Sequence, residues 1–307
     1  MEINKWTGHA AILSANIIFG LNVPITKALL GHWITPLGYM ATRTLSALVI
    51  FWIIQCFTPK ERVARRDLFI IAIGGLMGFI ISQYLTALSL QYTSPVYFSL
   101  IVALSPVMVM LLAALFLKEP VTGRKVGGVA LGISGALLLI MQIDTSAASG
   151  TNDLWGVLLA TVSITAYSVY LIIMRSIAQK YSAITQMKWM FLFTAIILVP
   201  LGAGEFSEQA IYTSAWDWTG VLELGFVILF ATSAGYFLMP FGMKYLRATT
   251  VSVYMNLQPI VASIAAIFVG QDFFSWDKPI AAALVIAGAY VVTTSPAKKN
   301  NSIKTYN

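Results

Sequence analysis

Two cations stand inside long apolar stretches of this chain, Arg43 within residues 34–57 and Lys188 within residues 183–202. A cation at mid-membrane depth costs about 2.5–3.5 kcal/mol on insertion scales, so such residues turn toward a protein interior and take a partner there. The chemistry open to them is electrostatic: each can draw in a carboxylate or another anionic group of a solute. The structural alternative is that Arg43 bonds exposed backbone carbonyls and that Lys188, close to the end of its stretch, reaches the interface along its own stem. Phenol and amide groups lie in similar stretches: Tyr84, Tyr97, Tyr167, Tyr170, Tyr236, Tyr254 and Asn256, with Gln83 and Gln258 beside them. Membrane tyrosines usually mark the interfaces. Tyr84, Tyr167, Tyr170 and Tyr254 fall deeper, where they either shape an apolar pocket with a few polar anchors or join helices by hydrogen bonds.

Three stretches carry backbone breakers. Gly20, Asn22 and Pro24 fall together, and Pro106 and Pro259 interrupt two other apolar runs. Proline removes a backbone donor and kinks a helix, leaving a carbonyl free for water, a neighbour or a solute. Asn22, Pro24, Pro106 and Pro259 are therefore candidates for gating or for lining a cavity. Kinks that serve packing alone are the competing reading.

Other chemistries lack their residues. No phosphate loop, zinc-binding HExxH or nucleophile elbow occurs. Two histidines and one cysteine, Cys56, cannot build a convincing metal cluster, and no cofactor is expected. Glu223 is the one acidic residue within an apolar block, and His9 and His32 sit at block ends, so a proton relay is not visible. Glu119 and Asp272 read as polar helix termini. An enzyme would need a catalytic pair that is missing, and a channel a selectivity filter.

The elements that must position these groups follow from composition. The chain has 307 residues, 58% hydrophobic and 10% charged, with mean hydropathy +0.81. Soluble domains carry about 25% charge. A bilayer accommodates this excess of apolar side chains and a soluble core does not. The net charge of +7 belongs with a membrane surface, since the basic residues fall between apolar blocks, and nucleic acid is not expected as a partner. A membrane helix needs about 20 mostly apolar residues. Ten blocks qualify: 8–30, 34–57, 68–89, 93–117, 122–142, 154–175, 183–202, 218–240, 249–270 and 276–294. The first lacks a small-residue cleavage site and reads as a retained helix. The expected fold is an all-α integral membrane protein of ten transmembrane helices.

With the first residues in the cytoplasm, the inside segments hold 15 of the 19 basic residues, among them Lys60, Arg62, Arg65, Arg66, Lys118, Arg124 and Lys125. The outside segments hold Asp144, Asp153, Glu205, Glu208, Asp217, Asp272 and Asp277, with Lys278 as the only base. The positive-inside rule then places both termini in the cytoplasm. A repeat runs through this frame. Tyr92, Ser99, Leu104, Pro106, Ala113, Glu119 and Gly135 recur without a gap, 153 residues later, as Tyr245, Ser252, Leu257, Pro259, Ala266, Asp272 and Gly288. Gly8 to Lys27 also matches Gly156 to Arg175 in spacing, more weakly. Five helices per unit is odd, so the second copy enters the membrane upside down. The expected division is a first repeat over 1–145, an inverted second repeat over 146–296 and a cytoplasmic tail over 297–307. Gly74, Gly75 and Gly78, and Gly128 with Gly132, are small-residue patterns for close helix packing.

Tyr92-Thr93-Ser94-Pro95, Leu104-Ser105-Pro106 and Leu115-Phe116-Leu117-Lys118-Glu119 resemble the signature of EamA-type members of the drug/metabolite transporter superfamily. The second copy, from Tyr245 through Leu257-Gln258-Pro259 to Asp272, has aspartate where that family often has glutamate. The resemblance implies a ten-helix carrier bordering a central cavity with helices one, three, four, six, eight and nine, working by alternating access. It also implies small metabolites as cargo, amino acids among them, often moved outward across the plasma membrane. Arg43 matches a basic residue common in the family's second helix. The expected function is export of amino acids or related compounds. The alternatives are a carrier of drugs, nucleosides or sugar derivatives, or a membrane receptor or assembly subunit with no transport cycle. Small-molecule substrate and lipid are the expected partners, and a monomer suffices.

Overall fold

The computed structural model describes residues 2–92, 101–102, 104–140, 153–205, 208–213, 217–268 and 276–295, and the regular structure in them is helical. In chain order the elements are α1 (Glu2–His32), α2 (Pro36–Cys56), α3 (Arg65–Gly75), a π-helical segment (Leu76–Ile81), α4 (Ser82–Tyr92), α5 (Ser105–Phe116), α6 (Gly123–Ile140), α7 (Asp153–Ala178) and α8 (Ala183–Gly202). The short α9 (Ala210–Thr213), α10 (Trp218–Phe226), a second π-helical segment (Val227–Gly235), α11 (Tyr236–Met243), α12 (Ala248–Met255), α13 (Leu257–Phe268) and α14 (Asp277–Thr293) follow. Six helical stretches are long and apolar enough to cross a bilayer: Lys5–Leu30, Pro36–Cys56, Arg65–Thr86, Leu154–Ala178, Ala183–Gly202 and Trp218–Met243. Where the sequence predicts helices four, five, nine and ten, the described residues contain α5, α6, α12 with α13, and α14. Tyr97 and Asp272 lie outside the described residues.

Side chains set the helix starts. Thr35 caps α2 by accepting from the Gly38 N–H at 3.1 Å, with Pro36 preset for the first turn. Ser182 caps α8 through the Thr185 N–H at 3.3 Å, and Asp217 caps α10 through the Thr219 N–H at 2.7 Å. Leu13, Ile17, Val49, Ile53, Leu115, Phe116, Leu222 and Ile286 are exposed on the bundle surface. A large exposed apolar surface of this kind is what a lipid-facing protein presents.

Helix association in lipid depends on close packing rather than on apolar burial from water. α6 lies on α14, α2 on α8, α7 on α4 and α5, and α1 on α11 and α13. The first π-helical segment packs on α7 and the second on α1. Exchanging α1 with α7, α4 with α11 and α5 with α13 maps these contacts onto one another. The closest approach joins α6 and α14: a Cβ on Gly288 would sit 2.5 Å from the Gly128 carbonyl oxygen, so only glycine fits there. The small-residue pattern at Gly128 and Gly132 thus packs within one chain. Phe51 stacks on Phe191 at 5.7 Å between α2 and α8, a contact worth about 0.5–1.5 kcal/mol beyond its area.

Candidate functional site

Arg43 projects from the middle of α2 and is 2% exposed. Its Nε donates to Thr232 Oγ1 at 2.8 Å, and Nη1 donates to the Tyr39 hydroxyl at 3.3 Å. The guanidinium carbon lies 4.9 Å from the Tyr39 ring centroid and 5.3 Å from that of Phe79. Among the described residues no carboxylate pairs with Arg43. The charge is therefore held by a hydroxyl, a phenol and two ring faces, a set that stabilises a cation and leaves it net positive.

The surrounding wall is aromatic. Phe79 meets Phe191 and Tyr236 edge-on, each at 5.3 Å, and Tyr236 meets Phe19 at 5.6 Å. Tyr170, 1% exposed, lies over Gly78, where a Cβ would come 2.3 Å from its Cγ, and its ring is 5.4 Å from Tyr167. The Tyr170 hydroxyl is buried without a partner among the described residues. Of the sequence candidates, Arg43 and Tyr236 thus come together around Phe79, with Tyr167 and Tyr170 on the α7 face that meets the first π-helical segment. Tyr84 stands 43% exposed on α4.

The π-helical segments escaped the sequence reading, as did Thr232, Tyr39 and Phe79. A π-helix carries one more residue in each hydrogen-bonded ring than an α-helix and is often found at functional sites. The segments occupy matching places, since Leu76–Ile81 shifted by 153 residues falls within Val227–Gly235. Ser233 Oγ donates to the Ile228 carbonyl at 2.8 Å and takes up one acceptor of the widened turn.

The prolines act differently from the interior kinks expected of them. Leu104 and Asn256 leave the helix with ψ of −6° and −7°, and α5 and α13 begin just after them. Pro106 and Pro259 lie in the first turns of these new helices, where a missing N–H costs nothing and the fixed φ favours a helix start. The two helix starts, Ser105 and Leu257, agree with the 153-residue register to within one residue. The Asn256 amide is fully buried with both polar atoms unpaired among the described residues, and Ser105 Oγ is unpaired as well. α1 stays helical through Pro24, and Asn22 Oδ1 is buried without a partner among the described residues.

Further bonds cross between the halves. Gln258 donates to Asn16 Oδ1 at 2.9 Å, and His9 Nδ1 shares a hydrogen bond of 2.9 Å with the Tyr254 hydroxyl. At the basic end, Lys125 pairs with Glu119 at 2.6 Å, and the same carboxylate accepts from Thr249 at 3.4 Å. Nearby, Glu61 accepts from Ser182 N–H and Oγ at 2.9 and 3.0 Å. Its partial burial pushes the carboxyl up, but the bonds from Thr185 and Ser182 outweigh this and hold it below its ordinary value. Lys188 stands apart from Arg43, with its ammonium 5.2 Å from the Trp52 ring centroid and 5.0 Å from that of Trp189. Two apolar hollows of about 310 and 330 Å³ on the outside of the bundle, around Phe69 and Ile197 and around Ile70 and Phe116, do not include Arg43.

The model of the EamA-like transporter family matches residues 6–141 and again 154–294. The uncharacterized transporter YyaM of Bacillus subtilis is 25% identical over 292 residues, covering 94% of this chain and 93% of the relative. An uncharacterized transporter of Archaeoglobus fulgidus is 24% identical, covering 85% and 90%. The uncharacterized inner membrane transporter YhbE of Escherichia coli K12 is 27% identical, covering 76% and 72%. A solved crystal structure superposes with a TM-score of 0.74 at 19% identity, covering 95% of this chain and 97% of the other, which shows a shared fold. A helical bundle with a lipid-facing surface, a buried cation with no carboxylate partner among the described residues and a family model matched along both halves leads to one assignment: the chain is a multi-pass membrane protein of the EamA-like transporter family.

Proposed function

We propose that this transporter is a secondary carrier that exports amino acids or related carboxylate-bearing metabolites by alternating access. Arg43 carries the reading: a fully desolvated guanidinium with no protein carboxylate among the described residues is matched by an anionic group on the solute. Phe19, Phe79, Phe191 and Tyr236 supply apolar walls for the rest of the solute, and Tyr170 an unmet hydroxyl.

The mechanism follows from the paired breaks. Ten helices in two inverted five-helix repeats, with both termini cytoplasmic in the plasma membrane, are the arrangement the repeat and the loop charges favour. Helix contacts that interchange when the halves are exchanged support it. The breaks at Leu104 and Asn256 then lie on opposite sides of a pseudo-two-fold axis. The two bundles rock about them, exposing Arg43 to one side and then the other. The bonds Gln258–Asn16, His9–Tyr254 and Thr249–Glu119 would break and re-form in that cycle.

The test is a flux screen in proteoliposomes covering amino acids, amines, sugars and nucleosides, with and without a proton gradient. Saturable flux of carboxylate-bearing solutes is the expected result. No saturable flux for any class would leave the reading without support.

A further inference from the structure

Lys188 is 8% exposed, yet its ammonium meets no carboxylate within salt-bridge distance among the described residues. It lies against the rings of both Trp52 on α2 and Trp189 on α8, which meet edge-to-face at 6.1 Å. Trp52 is 41% exposed on the bundle surface, so the pair of indoles opens toward lipid rather than toward Arg43. Trp189 Nε1 is buried and likewise without an acceptor among the described residues. Lys188 is five residues beyond Ala183, the start of α8, and so about 8 Å along the helix axis at 1.5 Å per residue. A lysine this close to a helix end can carry its ammonium along its own stem to the interfacial region. The neighbouring carboxylate, Glu61, already accepts three bonds from Ser182, while Lys60, Arg62, Arg65 and Arg66 add positive charge at the same end.

The geometry points to a site for the phosphodiester of an anionic membrane lipid, held by Lys188 beside Trp52 and Trp189. One donor is a charged ammonium without a carboxylate partner among the described residues, and a second, the indole N–H, has no acceptor among them. The partly exposed face of Trp52 offers an apolar surface along which an acyl chain can lie, and the loop charges favour a lipid of net negative charge. The site is independent of the solute reading, since it does not share a residue with the Arg43 cluster.

Full-length protein in neutral detergent is titrated with phosphatidylglycerol, phosphatidylcholine or inorganic phosphate, and bound molecules are counted by native mass spectrometry. The wild type should retain phosphatidylglycerol over phosphatidylcholine. Lys188→Gln should weaken that retention about tenfold, the scale of one charge-assisted contact. Lys188→Arg should preserve it, and Trp189→Phe, which keeps the ring and removes the donor, should weaken it by a smaller factor. If Lys188→Gln does not accumulate, Trp189→Phe and Lys60→Gln decide. Unchanged retention in all the variants that accumulate overturns the proposal. So does equal retention of phosphatidylcholine, or occupation by inorganic phosphate that blocks the lipid.

Discussion

Phe79 and Thr232 stand 153 residues apart in the chain and meet at one guanidinium, the ring centroid 5.3 Å from the Arg43 carbon and the hydroxyl 2.8 Å from its Nε. They are equivalent positions of the two halves, one in each π-helical segment. Arg43 thus reads both halves at once, through a ring face on one side and a hydroxyl on the other. A solute carboxylate arriving there would compete with Thr232 for Nε and so act on the contact between the halves.

Arg43→Ala is expected to lower kcat/KM for carboxylate-bearing solutes about 10- to 100-fold, the equivalent of one charged hydrogen bond. Because Arg43 pairs with no carboxylate among the described residues, none of these is left unpaired, and folded protein should still accumulate in the membrane. Arg43→Lys should recover only part of the activity, since an ammonium cannot reproduce the forked donor geometry. Proteoliposome flux, read beside the thermal midpoint of each variant, checks this. A variant that fails to accumulate would make Arg43 structural.

Gly288→Ala should destabilise the protein by about 1–3 kcal/mol, because the added Cβ meets backbone of α6 that cannot move aside. Gly127→Ala is the control, with nothing within 4 Å of the new methyl. Thermal unfolding in detergent distinguishes them, and equal midpoints would contradict the close packing of α6 on α14.

Much of this was legible in the sequence. The predicted blocks 34–57 and 183–202 correspond to Pro36–Cys56 and Ala183–Gly202, because caps and turns bound them sharply. Prolines marked both broken helices, but not that they begin new helices, which depends on where the preceding turn gives way. The π-helical segments have no local signature, since the wider turn is a product of packing, as with Tyr170 over Gly78. His9 read as a block end, and its bond to Tyr254 spans 245 residues, a distance no pattern along the chain reports. Depth in the block already set Lys188 apart from Arg43 in sequence, but the rings each cation meets, Trp52 for one and Phe79 for the other, depend on tertiary placement.

Glu61 gives a pH dependence with a defined sign. Its carboxyl is held below the ordinary value, so the stability it contributes is present above the unfolded pKa of about 4.3 and is lost as pH falls through the folded value. Glu61→Gln should therefore lower the unfolding midpoint slightly at pH 7, and the gap to wild type should close as pH falls past the unfolded value and through the folded one. A gap that persists at low pH would show that hydrogen bonding to Ser182, rather than charge, carries the contribution.

Pro106→Ala and Pro259→Ala are expected to slow turnover by similar factors while leaving KM within about twofold, since each removes the fixed φ that starts a helix next to a break. Flux kinetics across a concentration series measure both. An effect confined to one proline would separate the two breaks in function.

The most direct measurement is two-sided labelling at the breaks. Cys56 is exposed and is first replaced by serine, after which single cysteines are placed at Ser105 and Gln258, which are equivalent positions next to Pro106 and Pro259. Oriented vesicles are treated with a membrane-impermeant maleimide from each face during turnover. The account predicts that both positions react from both faces, with transported solute shifting the ratio. Reaction of both positions from one and the same face only, whatever the solute, would contradict alternating access.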